Sequence, residues 1–463
     1  MRQRIPFERL ESVPDPSSMA RLFFAFPFPF RFSGILVHQS ENAMTSSTGS
    51  SFRSLFRTTV FLLAVVGAAA LATGCSDDLR VATAELASGE VGRSTVAITA
   101  DGRTAYSTWV ARDSTGWNVW LSAWPRGAAG PSAPVRVNAT PGNAAAHDQA
   151  PPQVGVDRDG RVYVAWINRI DVAGRRFPAN DLFLAVSGDG GKTFGPEQTV
   201  NSDAGGLPTG HTFHNMAALP DGSMLLTWID GRAHAAMHSP INSGEDGATV
   251  GSEIRVARVE DGGRIIRETA VLDRSSCPCC RTNVAVAPDG RIHVVWRHEY
   301  ESGERDIVTS FSDDGGETFS PYRSVFRDRW NINACPHTGP AVAVDGNGRV
   351  HVAWYTGAES ASGIRHAVST DRGETFGQVS MVQDDVPVSQ VALAASSGHV
   401  LLMSDDHERK GVSTWRIRGG NINWTALQAG AELPSQVAAG GTLMQTWREG
   451  SRLHGRMTYA TTG

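Results

Sequence analysis

Lysine is almost missing from this chain: only Lys192 and Lys410 stand among the 42 basic residues, and the rest are Arg. Such an imbalance reflects coding bias, so an Arg earns no role simply for not being Lys. Cysteine is scarce as well, and five in 463 residues exclude a small disulfide scaffold. There is no basic run, and 47 acidic residues outweigh the 42 basic ones. That excludes the phosphate-neutralising surface on which nucleic-acid binding rests. No apolar run reaches the ~20 residues of a spanning helix, and no stretch carries convincing helical periodicity. The remainder is globular in composition, with 41% hydrophobic residues, 49 Gly, 23 Pro and 12 Trp. The length allows two or three ordinary domains or one large closed β architecture.

The N-terminus reads as an address. From Met44, Arg53 and Arg57 form a positive region, Val60–Leu71 is a short apolar run, and Leu71-Ala72-Thr73-Gly74-Cys75 closes it. This is the layout of a secretory signal peptide. Small residues before a Cys resemble the bacterial lipobox, in which the Cys is lipidated and becomes the new N-terminus; Ala72 stands where Leu is commoner. The expectation is a signal peptide over 44–74, a lipid anchor on Cys75, and a mature domain over 75–463. Residues 1–43, ahead of a complete signal peptide, fit a start codon placed too early. The protein is then expected outside the cytoplasm, anchored to a bacterial envelope membrane. Ser76 after the Cys favours the outer one, and disulfides can form there.

One strand recurs along the rest of the chain. A turn ending in Gly leads into alternating apolar residues and a Trp at Gly102–Trp109, Gly160–Trp166, Gly222–Trp228, Gly290–Trp296, Gly348–Trp354, Gly398–Ser404 and Gly441–Trp447. Only the sixth copy lacks the Trp. Before most copies lies another apolar run, so each unit begins as a hairpin. The mean spacing of about 56 residues holds a four-stranded sheet, which reads as a β-propeller blade. An all-β propeller of seven blades is expected, or six if the sixth copy is a spur. The last copy is followed by a single strand, Ser451–Ala460. Leu79–Leu86 could complete that blade and join the two ends of the chain.

Three hairpins carry a second motif, S-x-D-x-G-x-T-F. It is formed by Ser187, Asp189, Gly191, Thr193 and Phe194; by Ser312, Asp314, Gly316, Thr318 and Phe319; and by Ser369, Asp371, Gly373, Thr375 and Phe376. Eroded versions lie around Ser122 and Asp261. The Asp can accept N–H bonds of its own turn while Gly supplies positive φ, so the motif is structural in its own right. It resembles the Asp box of the bacterial neuraminidase (BNR) repeat of sialidases and their propeller relatives. In that family the box lies away from the active site, which is built from an Arg triad, a Tyr with its Glu, and an Asp. The family's first Arg element has no counterpart in residues 79–100, where Arg93 stands in Gly-Arg-Ser-Thr. Glu299 and Tyr300 are adjacent and, on a strand, would face opposite ways. Arg232, Arg281 and Arg297 lie near strand ends, and Asp148 is the candidate acid. If the protein is an enzyme, the resemblance implies an exo-α-sialidase type of glycoside hydrolase.

A separate constellation emerges by phase. Thirteen residues before a repeat Gly stand His147, Cys277 and Cys335; eleven before stand His211, Cys279 and His337; Cys280 and His214 lie close by. Equivalent phase means an equivalent place at the start of an inner strand, so these residues could converge. Thiolate and imidazole suit copper or zinc. A disulfide from Cys277 or Cys280 to Cys335, or a reactive Cys279–Cys280 pair, accounts for the cysteines equally. The CxCC and CPxxGP segments also resemble those of a group of uncharacterised secreted BNR-repeat proteins, which implies that the two loops form one site. Three functions follow: recognition or hydrolysis of a glycan, a metal or redox centre, and a monomeric scaffold that binds a protein partner.

Overall fold

The computed structural model describes residues 79–174, 178–233, 251–359, 362–387, 389–396, 398–406 and 409–460. The upstream extension, the signal peptide and Cys75 lie outside the described residues. The chain begins with strand β1 (Leu79–Ser88). It continues through β2 (Val91–Ile98), β3 (Thr104–Asp113), β4 (Gly116–Pro125) and β5 (Val135–Arg136), then β6 (Gln153–Val156), β7 (Val162–Ile167), β8 (Leu182–Ser187) and β9 (Gln198–Thr199). Next come β10 (His211–Ala218), β11 (Met224–Asp230), β12 (Ser252–Glu260) and β13 (Ile265–Ser276), then β14 (Asn283–Val286), β15 (Ile292–Glu299), β16 (Glu304–Ser312) and β17 (Arg323–Asn331). After these are β18 (Ala341–Val344), β19 (Val350–Thr356), β20 (Gly363–Ser369) and β21 (Ser380–Asp384), then β22 (Val391–Ser396), β23 (His399–Asp406), β24 (Gly411–Arg418) and β25 (Asn421–Ala429). The chain closes with β26 (Ala431–Ala439), β27 (Thr442–Glu449) and β28 (Arg452–Ala460).

Each group of four is an antiparallel meander. The groups β10–β13 and β14–β17 are joined by one extra pair, Ser276 with His298. The last sheet takes its fourth strand from the other end of the chain: β1 pairs with β28 from Leu79–Ala460 to Ser88–Arg452. The sixth repeat, despite lacking its Trp, lies in a complete sheet, β22–β25. First strands pack on first strands: β2 on β6, β6 on β10, β10 on β14, β14 on β18, β18 on β22, β22 on β26 and β26 on β2. They enclose a cavity of about 280 Å³ lined from Arg93 round to Val437. The architecture is that of a β-propeller.

The repeat Gly has a local cause. All seven, from Gly102 to Gly441, have φ between +73° and +99°, the region open to Gly without strain. The N–H of Gly160, Gly222, Gly290 and Gly348 closes a turn onto the carbonyl three residues earlier. The strand after each turn buries its Trp: Trp109, Trp166, Trp228, Trp296 and Trp354 are at most 1% exposed. A buried indole N–H needs an acceptor. Trp228, Trp296, Trp354 and Trp447 donate to the carboxylates of Asp230, Asp273, Asp328 and Glu449 at 2.6–2.8 Å.

The Asp boxes fasten each sheet to the one before it. In the first box Ser187 donates to Asp189, which accepts the Thr193 N–H and hydroxyl. Asp314 and Asp371 make the same bonds. Bonds from the Thr375 hydroxyl and N–H hold the Asp371 carboxyl down at about 2. The box Gly then lies flat on the preceding sheet. A Cβ on Gly191 would meet Leu121 at 2.7 Å, on Gly316 Leu225 at 2.5 Å, and on Gly373 His293 at 2.8 Å. The eroded box at Asp261 keeps this contact, with Gly263 against Val186. Gly316→Ala is therefore expected to destabilise by about 2–4 kcal/mol, combining positive-φ strain with overpacking. Gly348→Ala, with open space around it, should lose only the strain, about 1–2 kcal/mol. Urea unfolding midpoints distinguish them, and equal losses would show that the box Gly does not fasten the sheets.

Candidate functional site

The strand register sorts the motifs onto two faces. Gln153, at the start of β6, pairs with Ala165 near the end of β7, whereas the box residue Ser187, ending β8, pairs with Val162 at the start of β7. The connections leading into first strands therefore lie on the face opposite the Asp boxes. On that face His147, Phe213 and His337 meet, with ring centroids 5.3, 6.2 and 6.5 Å apart. His147 and His337 come from the connections into β6 and β18, and Phe213 from the bulge near the start of β10. Phe213 and His337 hold φ of +56° and +50°, positions unfavourable for bulky side chains. Burial, then the neighbouring His337, lowers the titration of His147, with Asp148 opposing.

Two buried guanidiniums meet beside this cluster. Arg93, at the bulge of β2, donates to Gln390 Oε1 at 3.3 Å and to the Pro434 carbonyl at 2.8 Å. Arg281 donates to the same Gln390 oxygen and to the Val391 carbonyl, both at 2.9 Å. They are 4% and 6% exposed, and both line the central cavity. Their hydrogen bonds go to neutral oxygens; burial depresses both, and Asp405 draws both back. Gln390 in turn donates to the His337 carbonyl at 2.6 Å. Arg448 reaches Asp148 at 3.7 Å and Glu432 at 2.9 Å on the rim.

Below lies a thiol cluster. Cys277, Cys279 and Cys280 are at most 4% exposed, with Cys277 Sγ 3.7 Å from Cys279 and 3.3 Å from Cys280. Arg305 approaches Cys277 at 3.5 Å and also holds the Ala334 carbonyl and Glu299. Arg297, fully buried, bonds the Thr338 and Tyr355 carbonyls and stacks over Trp330 at 4.9 Å. Burial opposes ionisation of Cys280, but the other two thiols, Arg297 and the Thr338 N–H stabilise its thiolate and hold it well below the usual range. Hydrogen bonds with its two neighbours push Cys279 up. The 277–281 and 334–339 loops are in direct contact, and a Cβ on Gly339 would meet the Arg281 carbonyl at 2.2 Å.

The structure divides the expected ligand set. Among the described residues the three clustered cysteines form a compact metal-ligating group that includes no His. All four described cysteines are free: no bridge reaches Cys335, which is exposed. His211 is instead spent on the Asn180 carbonyl at 2.7 Å and Asp203. It belongs to a charge network with Asp230, Arg232 and Glu268. His214 is buried against the Ala165 carbonyl, to which Nε2 donates. Sequence phase places a residue along a strand, but a bulge between Thr212 and Asn215 turns these side chains away from one another.

Glu299 and Tyr300 do not act together either. Glu299 accepts from Arg305, whereas Tyr300 packs on His298 at 4.4 Å and under Arg327 at 4.0 Å, toward outer strand β17. Arg281 and Asp148 do lie on the cavity face. Arg93, set aside in the sequence because Gly-Arg-Ser-Thr lacks the family's element, lines the cavity, and Gln390, a single Gln outside the repeat motif, carries no sequence signal.

No family model and no curated protein matches the chain. Solved structures do resemble it. A polysaccharide lyase of family PL25, an ulvan lyase, aligns with TM-score 0.54 and 11% identity over 80% of this chain and 94% of its own. The Hadza microbial sialidase Hz136 aligns with TM-score 0.47 and 15% identity over 75% and 74%. An α-L-arabinanase from Penicillium chrysogenum gives 0.43 and 13% over 66% and 92%. The first carries the fold assignment, a β-propeller.

Buried imidazoles give the molecule an acid limit. Burial lowers His214 and His293 to about 4 and His366 to about 3, against about 6.5 when unfolded. Below 6.5 the unfolded chain takes up protons that the folded chain refuses. Stability is then full above pH 6.5 and falls as pH drops through about 4. The thermal midpoint is expected to decline between pH 6.5 and 4.5, with a shallower slope in His214→Gln. A flat profile over that range would contradict the neutral buried state.

Proposed function

We propose that the chain is a closed seven-bladed propeller of the sialidase-like kind that recognises an acidic carbohydrate at the cavity face. The carrying observation is the pair of buried guanidiniums, Arg93 and Arg281, which reach one Gln390 oxygen from sheets that are not neighbours. One buried carboxylate, Asp405, acts on both cations, so two guanidiniums share a single negative charge and an incoming anion would balance the second. A planar guanidinium meets a carboxylate or sulfate with paired hydrogen bonds. His147 and His337, packed at an angle on buried Phe213, supply exposed imidazole faces and hydrogen-bonding nitrogens of the sort that contact a sugar. The ulvan lyase of the same fold is bound to a glucuronate and sulfated rhamnose glycan; that is a property of that protein. Seven blades and closure follow from reading β10–β17 as two blades and β1 as the fourth strand of the last.

Recognition is preferred to sialidase hydrolysis because Tyr300 and Glu299 serve separate partners. The reading includes an N-terminal lipid on Cys75 holding a monomer on an envelope membrane, the outer membrane being favoured. Cys75→Ala is expected to move the protein from the membrane to the soluble fraction, and retention there would refute the anchor. Titration calorimetry against glucuronate, sulfated and sialylated oligosaccharides and their neutral counterparts tests the ligand. Arg281→Met and Arg93→Met should each weaken binding roughly 10–100-fold, the worth of a charged hydrogen bond. Equal affinity for neutral glycans, or unchanged affinity in both folded variants, would overturn the proposal.

A further inference from the structure

Beneath the proposed glycan face, and independent of it, we infer that Cys277, Cys279 and Cys280 form a three-coordinate site for one Cu(I) ion. The Sγ atoms all lie within 4.8 Å of one another, at 3.3 and 3.7 Å for the two pairs made by Cys277. An ion about 2.3 Å from each of three sulfurs needs edges of about 4 Å, so small side-chain adjustments suffice. The Cys277-Pro278-Cys279-Cys280 turn ends β13 and aims three thiols inward, where they are at most 4% exposed.

Coordination number and the softness of the ligands select the ion. Among the described residues no His, Asp, Glu or fourth Cys joins the group. Structural zinc takes four ligands, whereas soft thiolates select Cu(I). Three thiolates around a monovalent ion carry two negative charges. Two guanidiniums stand beside them: fully buried Arg297, whose Nε and Nη1 have no hydrogen-bond partner, and Arg305, which lies 3.5 Å from Cys277 and is also paired with Glu299. The apolar packing around the cluster, including Phe213 and Ala150, keeps water from the bound ion. Binding releases to solvent whatever thiol protons the cluster still holds and changes no oxidation state, since the ion is supplied as Cu(I).

The full chain, reduced and kept anaerobic, should take up one Cu(I) per molecule in competition with bathocuproine disulfonate. X-ray absorption should show three sulfur neighbours. Cys279→Ser and Cys280→Ser should each weaken binding roughly 100-fold or more, and Cys335→Ser should leave it unchanged. Because a buried Cys variant can misfold, the unaltered protein supplies a second readout. Cu(I) should protect Cys277, Cys279 and Cys280 from alkylation while Cys335 still reacts, as mapped by peptide mass. Uptake below half an ion by the reduced, folded chain would overturn the site, as would alkylation of all three in the presence of Cu(I) or tighter binding of Zn²⁺. No glycan enters these measurements, so their failure is distinct from failure of the proposed function.

Discussion

A four-stranded antiparallel sheet of this size cannot stand alone, because both of its faces are apolar and its first strand has an open edge. Stacking one sheet on the next is the constraint that everything else here serves. The buried Trp of the second strand lies in that contact, and its N–H must be answered within the same dry layer. Hence the carboxylates of Asp230, Asp273, Asp328 and Glu449, each buried or half-buried at an indole. The box glycines close the opposite end of the contact, where any Cβ would strike Leu121, Leu225 or His293 on the preceding sheet. Pairing of β1 with β28 covers the remaining edge with the chain's own beginning.

The functional face is a consequence of that stacking. First strands line the axis, so side chains hundreds of residues apart become neighbours; Arg93 and Arg281 share Gln390 although 297 positions separate Arg93 from it. Several polar groups there are held by a partner from another sheet, as Arg93 and Arg281 by Gln390 and Asn215 by Gln153. The left-handed backbone at Phe213 and His337 stores strain that the packed sheets hold in place. Under this layer the thiols sit between the loops leading into β14 and β18, with Arg297 and Arg305 as their counter-charges. The proposed anion site would draw on Arg93 and Arg281, and the proposed thiol site on a different pair, Arg297 and Arg305.

The repeat was legible because it is written in local terms. Gly at positive φ, alternation with period two and a Trp at fixed spacing follow from one turn and one strand. The Asp boxes were equally readable, since every bond of the motif lies within five residues. Phase placed His147 and His337 on one face and brought the two Cys-bearing loops together. It failed for His211 and His214, where a bulge redirects the side chain and a nearer carbonyl or carboxylate takes the ring nitrogen. It failed also for a bridge to Cys335, which is exposed while the other three are buried.

By itself, then, the chain determined an all-β succession of like sheets, the faces on which its motifs fall, and the loops that carry its cysteines. These depend on backbone conformation and on interactions a few residues long. Only the tertiary structure decided which side chains meet. That Arg93 and Arg281 share one glutamine, that three thiols gather without a histidine, and that Tyr300 turns outward to Arg327 are matters of which sheet stacks on which. Such contacts are fixed by packing across the axis, where sequence separation has no bearing on distance.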